Sequence, residues 1–195
     1  MRVVAGTHKG QRLEAPRRAV RPTADRVREA LFSMLGSVDG ANVLDLYAGS
    51  GALGIEALSR GAASATFVDS DAAALRAVRS NLERLGIAGA GVVGADALAF
   101  LRIAAGRAER WDLVLCDPPY RLAPRLGEPL GSLLVRVLAA GARVVCESSS
   151  RQPLELELPL QKERRYGDTR IAIYENNQPS GGKPPDGSRA GRPGR

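Results

Sequence analysis

The sequence predicts an α/β protein with a mostly parallel sheet, and three observations support this class. Short apolar segments of strand-like composition alternate with amphipathic helical patterns through the middle of the chain. Such alternation favours a parallel sheet covered by helices on both faces. Near the carboxyl end two strand-like segments follow one another directly, which indicates an antiparallel hairpin at the sheet edge. A chain of 195 residues can bury one substantial core.

Hydrophobic periodicity places the helices and strands along the chain. A helix is expected to begin after Thr23, a good N-cap, and to end near Gly36. Another is expected over residues 71–85, where four apolar side chains share one face. Strands are expected at residues 42–47, 65–68, 91–93, 111–116 and 142–147, and the hairpin at residues 154–163 and 168–175 around a turn near Tyr166-Gly167.

The formal net charge of +7 is concentrated at the two ends of the chain. Residues 1–28 carry eight Lys or Arg against two acidic residues, and residues 176–195 carry four against one. The middle is therefore slightly acidic. Clustered cations give affinity for phosphates without sequence specificity, so the amino-terminal segment is predicted to contact nucleic acid. The last twenty residues are rich in Pro, Gly and Ser, and a disordered tail is expected there.

Composition also limits location and redox chemistry. No apolar stretch is long enough to span a membrane, and the first residues lack the apolar segment of a signal peptide, so a cytoplasmic protein with no membrane partner is expected. Cys116 and Cys146 lie in apolar strand-like segments. Buried reduced thiols are expected there, rather than a disulfide or a metal site.

A glycine-rich segment follows the first strand of the alternating region and runs from Asp45 to Gly51. In an open α/β sheet, ligands bind here, outside the carboxyl ends of the strands, and glycines let a cofactor approach the backbone. Gly49, Gly51 and Gly54 also match the pattern of dinucleotide-binding enzymes, with Asp69 placed to hold a ribose. The loop alone leaves the identity of the cofactor open.

Two acidic residues favour S-adenosylmethionine over a dinucleotide. Asp45 lies within the strand, where a carboxylate could meet the cationic amino group of S-adenosylmethionine but would be poorly placed beside a pyrophosphate. Asp96 follows the third strand and could reach the adenine edge, although an N-cap is a serious alternative role for it. The predicted cofactor-binding residues are Asp45, Tyr47, Ala48, Gly49, Ser50, Gly51, Leu53, Asp69, Ser70, Asp96 and Ala97.

The tetrapeptide Asp117-Pro118-Pro119-Tyr120 follows the apolar strand over residues 111–116. The exocyclic amine of guanine or adenine is a poor nucleophile because its lone pair is delocalised into the ring. Asp117 and the carbonyl of Pro118 could accept hydrogen bonds from that amine and turn its lone pair toward an electrophilic methyl group. Tyr120 would stack on the base. These four residues are the predicted catalytic residues of an amino-methyltransferase that requires neither a metal nor a covalent nucleophile.

Four segments of the chain carry a family resemblance: residues 6–13, 21–32, 45–62 and 117–120. Together they resemble the bacterial 16S ribosomal RNA guanine-N2 methyltransferases of the RsmD type. The Arg-Pro-Thr sequence followed by Asp-Arg-Val-Arg-Glu is the most family-specific part. The glycine loop and Asp-Pro-Pro-Tyr are shared more widely among amino-methyltransferases. The resemblance extends from Gly6 to Tyr174.

This resemblance implies a Rossmann-like, S-adenosylmethionine-dependent class I methyltransferase fold with a seven-stranded sheet and a small amino-terminal β-hairpin that helps to hold RNA. The implied substrate is a guanine of 16S ribosomal RNA in a partly assembled small subunit. The expected parts are a basic RNA-contacting arm over residues 1–22, a methyltransferase domain over residues 23–175 and the tail over residues 176–195. The predicted RNA contacts are Lys9, Arg12, Arg21, Thr23 and Arg26.

Other functions are compatible with the same motifs. Methyltransferases that modify the N6 amine of adenine in DNA, or a glutamine side chain, use the same acceptor geometry, although no separate target-recognition domain is evident here. A nicotinamide-dependent oxidoreductase would account for the glycine pattern. A noncatalytic RNA-binding assembly factor could have kept the fold without the reaction.

Overall fold

The computed structural model describes residues 1–15 and 25–177, so Thr23, Arg21 and nearly all of the expected tail lie outside the described residues. Helices and strands alternate as the sequence predicts. The helices are α1 Asp25–Leu35, α2 Ala52–Ser59, α3 Ala72–Arg84, α4 Ala97–Gly106 and α5 Ala123–Leu134. The strands are β1 Asn42–Leu46, β2 Ser64–Asp69, β3 Gly91–Gly94, β4 Trp111–Cys116, β5 Leu138–Ser149, β6 Leu160–Tyr166 and β7 Thr169–Glu175.

The seven strands form one sheet in the order β3-β2-β1-β4-β5-β7-β6. Strands β1 to β5 pair in parallel, whereas β7 pairs antiparallel with both β5 and β6. The prediction of a mostly parallel sheet with a carboxyl-terminal antiparallel hairpin is therefore confirmed. The chain moves outward from β1 to β3 and then returns to place β4 on the other side of β1. This reversal is a topological switch point, where open α/β sheets form a ligand-binding crevice.

Apolar side chains cover both faces of the sheet. One core contains residues of α1, α2 and α3 together with Leu113 and Leu115. The other contains residues of α4 and α5 together with Val114 and Cys116. Side chains therefore alternate between the two cores along β4, as the period of a strand requires. No helix within residues 1–15 and 25–177 is long and apolar enough to cross a membrane.

The first strand of the hairpin differs from its predicted bounds. A strand was expected over residues 154–163, but β6 begins only at Leu160. Leu154 and Leu156 are buried against the core beside α4 and α5, so their apolar alternation reflects packing of an irregular segment. Pro153 and Pro159 flank this segment and lack the N–H that a strand ladder needs. The alternation of apolar residues therefore predicted the burial of Leu154 and Leu156 correctly. The strand that it predicted before Leu160 was wrong.

The amino-terminal segment, residues 1–15, folds back on itself along α2. An antiparallel bridge joins Arg2 and Arg12, and the N–H of Val3 donates to the carbonyl of Gln11 at 2.9 Å. The turn lies at the end of α2, where Ser59 Oγ accepts a hydrogen bond from the N–H of His8 at 3.0 Å. This small hairpin therefore packs directly on α2.

Glu56 is the central anchor of this segment. Its carboxylate is fully buried in α2 and accepts hydrogen bonds from the N–H groups of Val4 at 2.7 Å and Ala5 at 3.0 Å. Arg60 Nε donates to it at 2.8 Å, and Nε of the fully buried Arg28 lies 3.5 Å away. A buried carboxylate is tolerated only when it is paired and hydrogen-bonded in this way.

Replacing Glu56 with Gln is expected to lower the free energy of unfolding by about 3 kcal/mol, because the buried Arg28 loses one of its two carboxylate partners and Arg60 loses its own. Chemical denaturation followed by circular dichroism measures this loss. Glu83→Gln is the matched control, since Glu83 is exposed on α3 and its replacement is expected to change stability by less than about 0.5 kcal/mol. Equal stability of the two variants would contradict the anchoring role of Glu56.

Candidate active site

The crevice at the switch point brings the two predicted motifs together. β1 and β4 are neighbours, and Leu46 pairs with Cys116 at the last positions of the ladder. The glycine loop continues directly from β1, and Asp117 directly follows Cys116. Two motifs separated by about seventy residues of sequence therefore leave the sheet side by side at its carboxyl edge, as the sequence interpretation requires.

The glycine loop adopts left-handed backbone conformations at three positions. Tyr47 has φ 59°, Gly49 has φ 56° and Gly51 has φ 77°, and Gly51 immediately precedes α2. The N–H of Gly51 donates to the carbonyl of Ala48 at 2.7 Å and closes a tight turn. A positive φ is uncommon for a tyrosine, and such conformations are frequent at ligand sites. The loop thus turns sharply between β1 and α2.

Asp45 lies beneath this loop with a side chain that is almost wholly buried. Its Oδ2 accepts a hydrogen bond from the N–H of Gly54 at 2.9 Å. Burial raises the pKa of the Asp45 carboxyl to about 8, the bond from Gly54 acts in the opposite direction, and the nearby Asp69 raises it further. A Cβ at residue 54 would overlap the ring of Phe67 and press on Asp45, so glycine is required there.

Asp69 is the last residue of β2, Tyr47 follows β1 and Asp96 lies two residues beyond β3, so all three are at the carboxyl edge of the sheet. Burial raises the pKa of the Tyr47 hydroxyl, and the neighbouring Cys116, Asp96 and Asp69 add to that rise, which shows that these groups lie near one another. Asp69 Oδ2 accepts from the N–H of Gly49 at 2.9 Å and ties β2 to the glycine loop. The cluster offers hydrogen-bond acceptors in a partly enclosed setting.

Asp96 also serves as the N-cap of α4, accepting from the N–H of Ala99 at 3.0 Å. The alternative role considered from the sequence is thus the one seen here, and its contact with an adenine edge stays a prediction. Ala97 is buried behind it, and Ser70 is exposed at the end of β2. Ala48, Ser50 and Leu53 are buried in the loop and the first turn of α2, so any contact they make to a cofactor comes mainly from backbone groups.

The Asp-Pro-Pro-Tyr segment forms a short extended stretch followed by a turn into α5. Pro118 is buried and Pro119 is exposed. The carbonyl of Pro119 accepts the turn hydrogen bond from Leu122 at 2.8 Å. Tyr120 is half-buried, and its hydroxyl lies 3.4 Å from Oγ1 of Thr169, so the tip of the carboxyl-terminal hairpin is adjacent to the motif. Thr169 gave no signal in the sequence, because its role depends on strand order.

Cys116 and Cys146 are both free and buried, as expected. They occupy paired positions of β4 and β5. A hydrogen bond with Cys146, together with burial, raises the pKa of the Cys116 thiol. A protonated buried thiol is a packing group, although it lies directly before Asp117.

Three of the predicted RNA contacts, Lys9, Arg12 and Arg26, lie within the described residues. Lys9 and Arg12 are exposed, but Lys9 lies in the hairpin turn beside Ser59, at the end of α2. The helix leaves the crevice at Ala52, so its far end is about 11 Å away along the axis. Arg26 is exposed on α1. The structure therefore does not bring Lys9 to the catalytic edge, and all three contacts stay predictions.

Glu56 and Asn81 are buried polar residues that sequence reasoning missed. Glu56 is the lone charged residue of an otherwise apolar helix, a signal that could have indicated a buried ion pair. Asn81 is fully buried in α3, where its Nδ2 donates to the carbonyls of Glu14 and Ser50, both at 2.9 Å. Its Oδ1 accepts from the N–H of Glu14 at 2.8 Å. Asn81 therefore ties the amino-terminal segment to the glycine loop.

Comparison with known proteins identifies relatives that span nearly the whole chain. A family model described as Conserved hypothetical protein 95 matches residues 1–175. Ribosomal RNA small subunit methyltransferase D from Haemophilus influenzae is 33% identical over 184 residues, which cover 90% of this chain and 94% of that protein. The protein of the same name from Escherichia coli K12 is 43% identical over 123 residues, covering 62% of this chain and 61% of that protein.

Two solved structures share the fold of this chain. A hypothetical protein of Thermus thermophilus superposes with a TM-score of 0.76 at 32% identity, covering 90% of this chain and 99% of that one. A 16S rRNA N2 G1207 methyltransferase of the same species, solved with AdoMet and guanosine, shares the fold with a TM-score of 0.61 at 22% identity, covering 80% of this chain and 43% of that one. Because the family model and a relative of similar length both span the crevice and its two motifs, the chain belongs to the RsmD-type methyltransferase family.

Proposed function

We propose that this protein transfers the methyl group of S-adenosylmethionine to the N2 amine of a guanine in 16S ribosomal RNA, within a partly assembled small subunit. The observation that carries the proposal is the position of Asp117, which directly follows β4 where this strand pairs with β1, so that the Asp-Pro-Pro-Tyr motif and the glycine loop leave the sheet side by side. Family membership supports methyl transfer, and the names of the relatives support ribosomal RNA as the substrate class.

The residues around the glycine loop fit S-adenosylmethionine. A buried carboxyl at Asp45 is a suitable partner for a cationic amino group, and Asp69 provides acceptors for ribose hydroxyls. The tight loop lets a ligand approach the backbone closely. The bound sulfonium supplies an activated methyl group, so the protein has to position the acceptor amine rather than create a nucleophile by metal or covalent chemistry.

Asp117 and the Pro118 carbonyl orient that amine in the proposed reaction. Both accept hydrogen bonds from the N2 amine, which turns its lone pair out of the ring plane. Methylation makes the nitrogen acidic, and the Asp117 carboxylate is the nearest group to take the released proton. Tyr120 offers a ring face on which the flipped guanine stacks, while its hydroxyl contact with Thr169 fixes the ring.

The amino-terminal hairpin and the chain that follows it are proposed to hold the RNA outside the crevice. Exposed cations in this region give phosphate affinity, and the base specificity comes from the crevice. A partly assembled subunit fits this proposal, because assembled RNA presents its target in a defined shape.

Methyl transfer from labelled S-adenosylmethionine to unmethylated 16S RNA tests the function. The wild-type protein is expected to form N2-methylguanosine, with highest yield on a partly assembled subunit compared with free RNA and finished subunits. Asp117→Asn is expected to reduce the rate at least about a hundredfold while binding of cofactor and RNA is retained, because the amide oxygen can still accept a hydrogen bond from the amine but cannot take the proton that methylation releases. Nucleoside analysis by mass spectrometry identifies the product.

N6-methyladenosine as the product would contradict guanine as the substrate while leaving methyl transfer intact. A wild-type rate for Asp117→Asn would contradict the role of Asp117. Glu128→Gln is a matched control for loss of an acidic group, because Glu128 is exposed on α5 beyond the motif.

Cofactor affinity is expected to increase with pH up to about 8. The pKa of Asp45 is raised to about 8 in the free protein, so at neutral pH the carboxyl is largely protonated. A cationic amino group favours the ionised form, and binding must then release a proton. Below pH 8 the dissociation constant should rise by up to about tenfold per pH unit.

Isothermal titration calorimetry in buffers of different ionisation enthalpy measures this proton release directly. Close to one proton should be released at pH 7 and almost none at pH 9. Asp45→Asn should bind more weakly and show no such linkage. Affinity of the wild-type protein that is independent of pH between 6 and 8 would rule out Asp45 as the partner of the amino group.

A further inference from the structure

The carboxyl edge of the sheet carries exposed arginines from the second half of the chain. Arg121 and Arg125 follow the Asp-Pro-Pro-Tyr motif, in the turn and first part of α5. Arg151 follows β5. We call these three residues the arginine rim. The sequence gives no reason to group them. Along the chain, the excess of positive charge is concentrated at the two ends, and these three residues lie between them.

A series of neighbouring residues places the arginine rim around Tyr120. The Tyr120 hydroxyl lies 3.4 Å from Thr169 Oγ1, and Thr169 pairs with Ser149 at the end of β5. Arg151 is two residues beyond Ser149, and the N–H of Ser150 between them donates to the carbonyl of Asp168 at 2.8 Å. Arg121 is the immediate neighbour of Tyr120. Arg121 and Arg151 therefore border the crevice, and Arg125 follows Arg121 by four residues in the first turn of α5.

The charges of the arginine rim are accessible to a ligand. Residues 119–127 contain two arginines and no acidic residue, and within the described residues neither arginine forms an ion pair. The Arg151 side chain is 86% exposed, and its one ion pair in the described part of the chain is a loose contact of 3.9 Å with the exposed Asp168. Pairs of this kind contribute little, so a phosphate could replace Asp168 as the partner.

Lys9 and Arg28 do not supply positive charge at this position. The hairpin turn that carries Lys9 is fixed to Ser59 at the far end of α2. Arg28 is buried and engaged with Asp25 and Glu56. An RNA whose base enters beside Tyr120 must pass its backbone over the carboxyl edge, where the arginine rim presents exposed positive charge.

We propose that the arginine rim binds the phosphates that flank the target nucleotide, forming an RNA-docking surface separate from the amino-terminal arm. This inference rests on the proposed function and adds to it a partner surface. Backbone phosphates need only positive charge in the right place, and arginine can bind them with two hydrogen bonds. The rim would thereby hold the strand on both sides of a base that has been flipped into the crevice.

The test measures binding of an unmethylated 16S RNA transcript at several salt concentrations. The variant Arg121→Gln/Arg125→Gln/Arg151→Gln is expected to bind about tenfold or more weakly in low salt. Its plot of log affinity against log salt should be shallower by about 1 for each phosphate that the variant no longer neutralises. The KM for RNA should rise while kcat and the affinity for S-adenosylmethionine stay close to wild type.

The matched control removes the same charge from the opposite edge of the sheet. Arg107, Arg110 and Arg136 are exposed and lie near the ends of α4 and α5 or at the start of β4. Their combined replacement with Gln is expected to leave the salt slope nearly unchanged. Asp168→Asn is expected to change RNA affinity in the opposite direction. Loss of the carboxylate beside Arg151 should strengthen RNA binding.

A rim variant with wild-type affinity and salt slope would overturn the proposal, as would a control variant whose affinity falls as much as that of the rim variant. Either result leaves the proposed function standing if the wild-type protein still methylates guanine. Failure of the wild-type protein to bind or methylate RNA would overturn the proposed function and the docking surface together.

Discussion

The buried carboxylate of Glu56 is the interaction on which the arrangement of the protein depends. It joins the backbone of the amino-terminal segment, the buried guanidinium of Arg28 in α1 and the side chain of Arg60 at the end of α2. Each partner offsets part of the cost of removing a charge from water, so the partners must be ordered together. Helix α2 begins at the glycine loop, and its position is therefore fixed by contacts made on the side away from the crevice.

Asn81 extends this arrangement to the loop itself. Its amide nitrogen donates to Ser50 and Glu14, and its oxygen accepts from Glu14 and from Arg84. A fully buried amide with its hydrogen-bonding groups engaged holds its partners in one geometry. The glycine loop is consequently held between α3 and the amino-terminal hairpin, while its left-handed residues keep the backbone open toward the crevice.

Local sequence patterns predicted most of the fold. The spacing of apolar residues shows which side chains are buried, and burial usually repeats with the period of a helix or a strand. The helix over residues 71–85 and the strand over residues 111–116 were placed closely by this means. The segment around Leu154 misled the same method, since an irregular chain can bury alternate residues without pairing. The glycine loop and Asp117 were recognisable because their chemistry is local. Thr169 and Arg151 were not, because only the strand order brings them to Tyr120.

Strand order also has a consequence for synthesis of the protein. Among the strands of the described residues, β7 leaves the ribosome last, yet it occupies the interior position between β5 and β6. β6 can therefore join the sheet only after the chain has been made as far as residue 175, and Tyr120 gains its neighbour Thr169 at the same moment. A nascent chain that already contains the glycine loop and the Asp-Pro-Pro-Tyr motif would still lack the finished wall of the crevice. Competence for the reaction would thus arise in a late, single step of folding rather than gradually during translation.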